Sequence, residues 1–170
     1  GHSLPFYNGN ISFISPKNDS ICWIGSAEGQ GLAILNTRTN RSMHLKADPN
    51  NPYALVSNSL LTAYTDKEGN EWIGTSNGIS KLNGNSFSIK KWDFGDLNNN
   101  FPFLSIRKGC DGNFYVARFG YSRIGKIDKE NDLFNELAGG QLSPTWSLNN
   151  FGKKIIATGA GTQIFTYDPT

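Results

Sequence analysis

The stretch "RFGYSR", residues 118 to 123, places two guanidiniums and a phenol close together in the chain. Arg118 and Arg123 each carry a planar fork of N–H donors that can hold a carboxylate or sulfate through two parallel hydrogen bonds. Tyr121, between them, offers a ring that can stack on the apolar face of a sugar. Trp92 and Trp146 supply two more flat rings, and Asn58 an amide that both donates and accepts. These six side chains, Arg118, Tyr121, Arg123, Trp146, Trp92 and Asn58, are the candidate ligand set. A structural reading stands beside it: Arg118 pairs with an acid of a neighbouring element, and the indoles fill gaps between packed sheets.

Groups that could catalyse are scarce. His2 lies at the chain's start and His44 on an outer strand, and neither has an acid, base or nucleophile at a workable spacing. The sequence contains no Ser-His-Asp arrangement, phosphate-cradling glycine loop or metal-ligand spacing, so the expectation is no catalytic residue, no metal site and no cofactor. Cys22 and Cys110 form no redox or metal motif and read as two small core residues not bonded to one another. A net charge of +2 with scattered basic residues excludes the electrostatic footprint of a nucleic-acid binder. Apolar runs such as Ile155 to Ala157 fall far short of the ~20 residues of a membrane span, so the segment itself does not insert into a bilayer. No charged-then-apolar leader opens the sequence, which says little about where the natural protein resides.

The elements that must position the ligand set follow from a repeat. Hydrophobic residues make up 37% of the 170-residue chain and charged residues 18%, with 19 glycines and 11 phenylalanines, which points to a turn-rich, aromatic-packed β protein. "NDSICWIGS" (18 to 26), "EGNEWIGTS" (68 to 76), "DGNFYVARF" (111 to 119) and "FGKKIIATG" (151 to 159) superpose with Trp23, Trp72, Tyr115 and Ile155 in register. The interval is close to the ~40–45 residues of a four-stranded propeller blade. Within the second unit, alternating "LLTAYT" reads as strand a and "DKEGN" as its turn. "EWIGTS" is then strand b, Asn77-Gly78 a tight hairpin, "ISKLN" strand c and "FSIKKWD" strand d. The fold class is therefore all-β, with about four antiparallel blades at approximately 11–50, 58–93, 101–138 and 144–170. The last lacks its fourth strand and has an open edge, to be closed by "LPFYN" (4 to 8) against "QIFTYD" or by further chain of a larger propeller. Trp72 is assigned to packing between blades, with Gly25, Gly74, Ala117 and Ala157 letting the next sheet approach. A helix longer than a turn or two would contradict the scheme.

In a blade whose strand a runs outward from the ligand face, the b–c hairpins and d–a crossovers share that face, while the a–b and c–d turns lie opposite. "RFGYSR" is such a hairpin, and Asn58, Trp92 and Trp146 lie at crossovers. The stretch "HLKADPNNPYALVSNSLLTAYTDKEGNEWIGTSNGISKLN" (44 to 83) resembles the regulator-propeller repeat of the periplasmic sensor regions of Bacteroides-type hybrid two-component histidine kinases, in both its "DPNNP…SNSL" linker and its "D-x-x-G-x-x-W-I-G-T-x-N-G-I" core. Units three and four depart from it: Tyr115 and Ile155 replace the tryptophan, Ala117 and Ala157 the glycine, and Arg118 the threonine. The resemblance implies a periplasmic, multi-bladed region that senses oligosaccharide fragments and signals to a kinase carried elsewhere in the protein. It implies as partners a glycan ligand and the remaining blades, with a homodimer as a further assembly. The alternatives are a propeller scaffold for protein partners and, less favoured, a propeller enzyme such as a lyase, lactonase or glycosidase. Against the glycosidase, sialidase-type Asp boxes place Gly two residues after Asp, whereas Asp66 to Gly69 is three and Asp111 to Gly112 is one.

Overall fold

The computed structural model describes residues 9–83, 89–93, 102–118, 124–128, 134–137, 145–160 and 164–169. Four antiparallel sheets form in chain order, each strand hydrogen-bonded to the one before it. The first comprises β1 (Ile11–Pro16), β2 (Ile21–Ser26), β3 (Leu32–Asn36) and β4 (Arg41–Leu45). The second comprises β5 (Leu60–Thr65), β6 (Glu71–Thr75), β7 (Gly78–Leu82) and β8 (Ile89–Asp93), and the third β9 (Phe103–Lys108), β10 (Phe114–Arg118), β11 (Ile124–Ile127) and β12 (Phe134–Glu136). The fourth has three strands, β13 (Thr145–Phe151), β14 (Lys154–Gly159) and β15 (Ile164–Tyr167). This is the all-β blade architecture expected from the repeat, and no helix occurs among the described residues. Residues 4–8, the expected closing segment, lie outside the described residues. Two compact units divide the chain, residues 1–96 and 97–170, with two sheets in each.

The first unit is held by an apolar layer between its sheets. Because side chains alternate faces along a strand, Trp23 and Gly25 of β2 share the face that meets the second sheet, and Ile73 of β6 answers from the other side. Trp23, Leu32 and Ile34 pack with Leu60, Ile73, Leu82 and Ile89, and Leu55 of the β4–β5 crossover completes the layer. Trp23 thus packs between blades as expected, but the space beside Gly25 is filled from its own sheet. A Cβ there would lie 2.2 Å from Cε1 of Phe13, the residue opposite it on β1. Polar bonds cross the same junction: the Ser12 hydroxyl donates to the Leu60 carbonyl at 2.6 Å. Lys17 Nζ bonds Thr65 at 3.2 Å and pairs with the fully buried Glu71.

The second unit repeats the layer with a change of register. Tyr115, Ala117 and Ile124 of the third sheet pack on Leu148, Ile155 and Ala157 of the fourth. Each sheet carries a bulge in its first strand, after which Gly25, Gly74, Ala117 and Thr158 occupy equivalent pairings. Counting back two residues, the counterpart of Trp23, Trp72 and Tyr115 is Ile156, not Ile155, and Thr158 rather than Ala157 takes the small-residue position. The sequence superposition was out by one because the a–b turn spans Asp66–Asn70 and Gly109–Asn113 in the second and third sheets but only Gly152-Lys153 in the fourth. A one-residue slip exchanges the faces of a strand. Ile155, 1% exposed, therefore faces the third sheet.

Candidate ligand-binding face

Three loops of the first unit meet on one side: the β2–β3 hairpin, the β6–β7 hairpin and the long β4–β5 crossover. The Ser59 hydroxyl donates to the Ala27 carbonyl at 2.5 Å, and the Ser76 N–H to the Ser59 carbonyl at 3.1 Å. The hydroxyls of Ser57 and Ser76 are 2.8 Å apart, and Ser76 reaches Oδ1 of Asn77 at 2.7 Å. At the rim, Asn10 donates its amide to Glu28 at 2.6 Å. The opposite side gathers the a–b and c–d turns, where Thr37 donates its N–H to the Ser20 carbonyl at 2.8 Å. The expected division of the loops between two faces is present in this unit.

The loops of this face are tied together by local bonds. Asn58 accepts the Ala47 N–H on its side-chain oxygen at 2.7 Å and the Gly31 N–H on its main-chain carbonyl at 2.9 Å, tying crossover to hairpin. Gly31 has φ +78°, and a Cβ on it would lie 2.4 Å from the Leu45 carbonyl oxygen. Only glycine accepts that backbone without strain. What remains on the surface is a rim of hydroxyl, amide and carboxylate groups, Asn10, Glu28, Ser57, Ser76 and Asn77, half-buried or exposed. Such groups, fixed by their mutual bonds, match the alternating donors and acceptors of a polyol. Sequence reasoning passed over them, since "SNG" is also a minimal hairpin; the signal was the recurrence of Ser-Asn in "VSNS" and "TSNG".

The sequence-predicted ligand set falls on both units. Asn58 is on the loop face, where its described bonds staple loops. Trp92, on β8, stacks on Trp72 with centroids 5.3 Å apart and planes at 17°. Arg118 ends β10 at the hairpin side, 5% exposed, with its guanidinium 4.9 Å from the ring centroid of Phe103, the residue opposite it. Trp146 lies in β13, but its side chain falls outside the described residues, as do Tyr121 and Arg123 entirely.

At the opposite strand ends the two Asp turns are structural. Gly69 and Gly112 close them at φ +80° and +83°. Asp66 accepts the Asn70 N–H at 2.8 Å, the Asn70 amide at 3.0 Å and the Trp72 indole N–H at 2.9 Å. Burial pushes its carboxyl up, but the bonds from Trp72 and Asn70 and the charge of Lys81 outweigh that and leave it below the usual carboxylate range. Asp111 repeats the design: it accepts from Asn113 and from the Tyr115 hydroxyl at 2.8 Å and pairs with Lys126 at 3.2 Å. Burial again opposes, the bonds from Asn113, Tyr115 and Lys126 prevail, and its carboxyl too is held low. The phenol of Tyr115 is pushed far up by burial, then by Asp111 and Tyr167. Among the described residues no group of three or more His, Cys, Asp or Glu converges as metal ligands would.

No protein-family model and no curated protein matches the chain. Solved structures do. The extracellular domain of the hybrid two-component system BT4673 of B. thetaiotaomicron superposes with a TM-score of 0.70 at 21% identity, over 88% of this chain and 19% of that one. The corresponding domain of BT3049 from the same organism gives 0.69 at 20% identity, over 95% and 21%. A streptogramin B lyase also matches, with a TM-score of 0.63 at 13% identity, over 93% and 54%. In fold, this chain is a β-propeller segment similar to the extracellular domains of Bacteroides hybrid two-component systems, about a fifth of whose length it spans.

Proposed function

We propose that this segment belongs to the extracytoplasmic, ligand-sensing propeller of a hybrid two-component system, and that its ligand is an oligosaccharide bound on the face of the b–c hairpins and crossovers. The observation that carries the reading is the loop face of the first unit, where hydroxyl, amide and carboxylate groups from three loops are held by bonds among themselves. Similarity of fold to extracellular two-component domains supports the sensor context and a periplasmic location. In the second unit, Arg118 closes the equivalent strand end and supplies a cation for an acidic ligand, with Tyr121, Arg123 and Trp146 as proposed neighbours. Catalysis elsewhere in the protein, further blades and a homodimer belong to the same proposal.

Titration calorimetry against neutral and acidic oligosaccharides tests it. Saturable binding without turnover is expected. Arg118→Ala should weaken an acidic ligand by about 1.5–3 kcal/mol, the scale of a charge-assisted hydrogen bond. Arg118→Lys keeps the charge over Phe103 and separates loss of contact from loss of packing. Equal affinity in both variants removes Arg118 from the site. The similarity to propeller lyases favours a second reading, an enzyme, which cleavage of a saccharide by the chain would establish.

A further inference from the structure

The hydroxyl protons on the loop face of the first unit are all committed within the protein. The Ser76 hydroxyl has one proton and gives it to Oδ1 of Asn77 at 2.7 Å. The 2.8 Å bond between Ser57 and Ser76 is therefore donated by Ser57. The Ser57 oxygen accepts the Ser59 N–H at 3.1 Å, and the Ser59 hydroxyl donates to the Ala27 carbonyl at 2.5 Å. With three hydroxyl protons spent in this way, the hydroxyls can only accept from a ligand. The donors left among the rim side chains are amide protons of Asn10 and Asn77. The rim thus offers more acceptors than donors.

One of those acceptors is a carboxylate. Glu28, exposed in the β2–β3 hairpin, is anchored twice: its N–H donates to the Ser26 hydroxyl at 3.1 Å, and its Oε1 accepts the Asn10 amide at 2.6 Å. Its other oxygen, Oε2, lies beside Gly9, where a Cβ would come within 2.9 Å of it. Glycine at residue 9 therefore leaves Oε2 open to approach, and a bulkier residue would crowd it. Lys46, whose stem lies beside Gly31, forms no salt bridge with Glu28. The other rim side chains, Asn10, Ser57, Ser76 and Asn77, are neutral, so the rim presents acceptors and a negative charge. An ammonium group is the complement of such a surface, since it brings three donors, no acceptor and a positive charge. A uronate or sulfate would bring acceptors and a like charge, and a neutral hydroxyl a single uncharged donor.

We propose that the loop face of the first unit selects a saccharide bearing a free amino group, its ammonium on Oε2 of Glu28 and its hydroxyls donating to Ser76 and Asn77. This rests on the reading of that face as a saccharide site and names its ligand class; Arg118 lies in the second unit and has no part in it. The probes are three disaccharides with one backbone and different groups at the second carbon: diglucosamine with an ammonium, cellobiose with a hydroxyl and diacetylchitobiose with an acetamide. Each is titrated into the chain by backbone NMR, with calorimetry for affinity. Diglucosamine should shift residues 9–10, 27–31, 57–59 and 76–77 and bind at least about fivefold tighter than cellobiose, and added sodium chloride should weaken it. Glu28→Gln keeps an oxygen for the Asn10 amide and removes the charge, so it should abolish most of that preference. If this variant disturbs the hairpin, Gly9→Val, which leaves Glu28 in place and crowds Oε2, should show the same selective loss. Equal affinity for diglucosamine and cellobiose, a preference retained in the variants, or tighter binding of diacetylchitobiose would overturn the amino-sugar assignment and leave the saccharide face standing. If none of the three perturbs these loops the assignment falls, and the response to the wider oligosaccharide panel decides whether the face falls with it.

Discussion

Asp66 shows how one carboxylate fixes a blade. Its three accepted hydrogen bonds lock the a–b turn and orient Trp72, whose ring also meets Trp92 and Lys81. Asp66→Ala should therefore lower stability by about 1.5–3 kcal/mol in urea unfolding followed by tryptophan emission, since it orphans a buried indole N–H. Asp66 and Asp111 both have carboxyls held below their ordinary range. A depressed folded-state pKa contributes stability that is fully present above the unfolded value of about 3.9 and is lost as pH falls through the folded one. The parent should lose stability below about pH 4, and the double substitution Asp66→Asn with Asp111→Asn should flatten that acid limb; an equally steep limb would remove these residues from the explanation. The turn of Asp66 and the packed Trp72 were legible because D-x-x-G and a regular aromatic carry local and periodic signals, whereas Asp111 stands directly before Gly112 in a plain "CDGN" turn. The hydroxyl rim was not, because bonds such as Ser59 to Ala27 join residues 32 positions apart, and its one local trace, the repeated Ser-Asn of "VSNS" and "TSNG", is also ordinary turn chemistry.

Strands were read correctly wherever turn chemistry bracketed them, and faces wherever the turn length held constant. Both conditions are met in the first three sheets, whereas β14 follows a shortened turn and presents its opposite face. Ile155 and Ile156 are adjacent and chemically identical, yet one is fully buried against the third sheet and the other half-buried. Ile155→Ala should cost about 2–5 kcal/mol, the range for a large-to-small change in a packed core, and Ile156→Ala clearly less. Chemical denaturation of the two variants compares them directly; the reverse order would restore the register that the sequence alone implied. Gly31→Ala tests the loop face at the same scale. The new Cβ meets the Leu45 carbonyl at φ +78°, so a loss of about 1–3 kcal/mol is expected from strain, with the β2–β3 hairpin displaced.

The period of the repeat, set by the recurring strand-b phrase and its turn, carried the blade arrangement: among the described residues, four sheets in chain order, the last with three strands. In the first unit, sequence also carried the assignment of hairpins and crossover to one face, because strand direction alone decides it. The ligand set was less accessible. Arg118 and Trp92 were picked by residue type, and the structure gives each an aromatic neighbour, Phe103 and Trp72, which residue type does not disclose. A backbone NMR titration of the chain with the oligosaccharide panel tests the central claim, that the hairpin and crossover face receives a saccharide. Saturable shifts should concentrate at residues 27–31, 57–59 and 76–77 for at least one ligand. The contradicting result is a complete panel in which no saccharide perturbs those three loops.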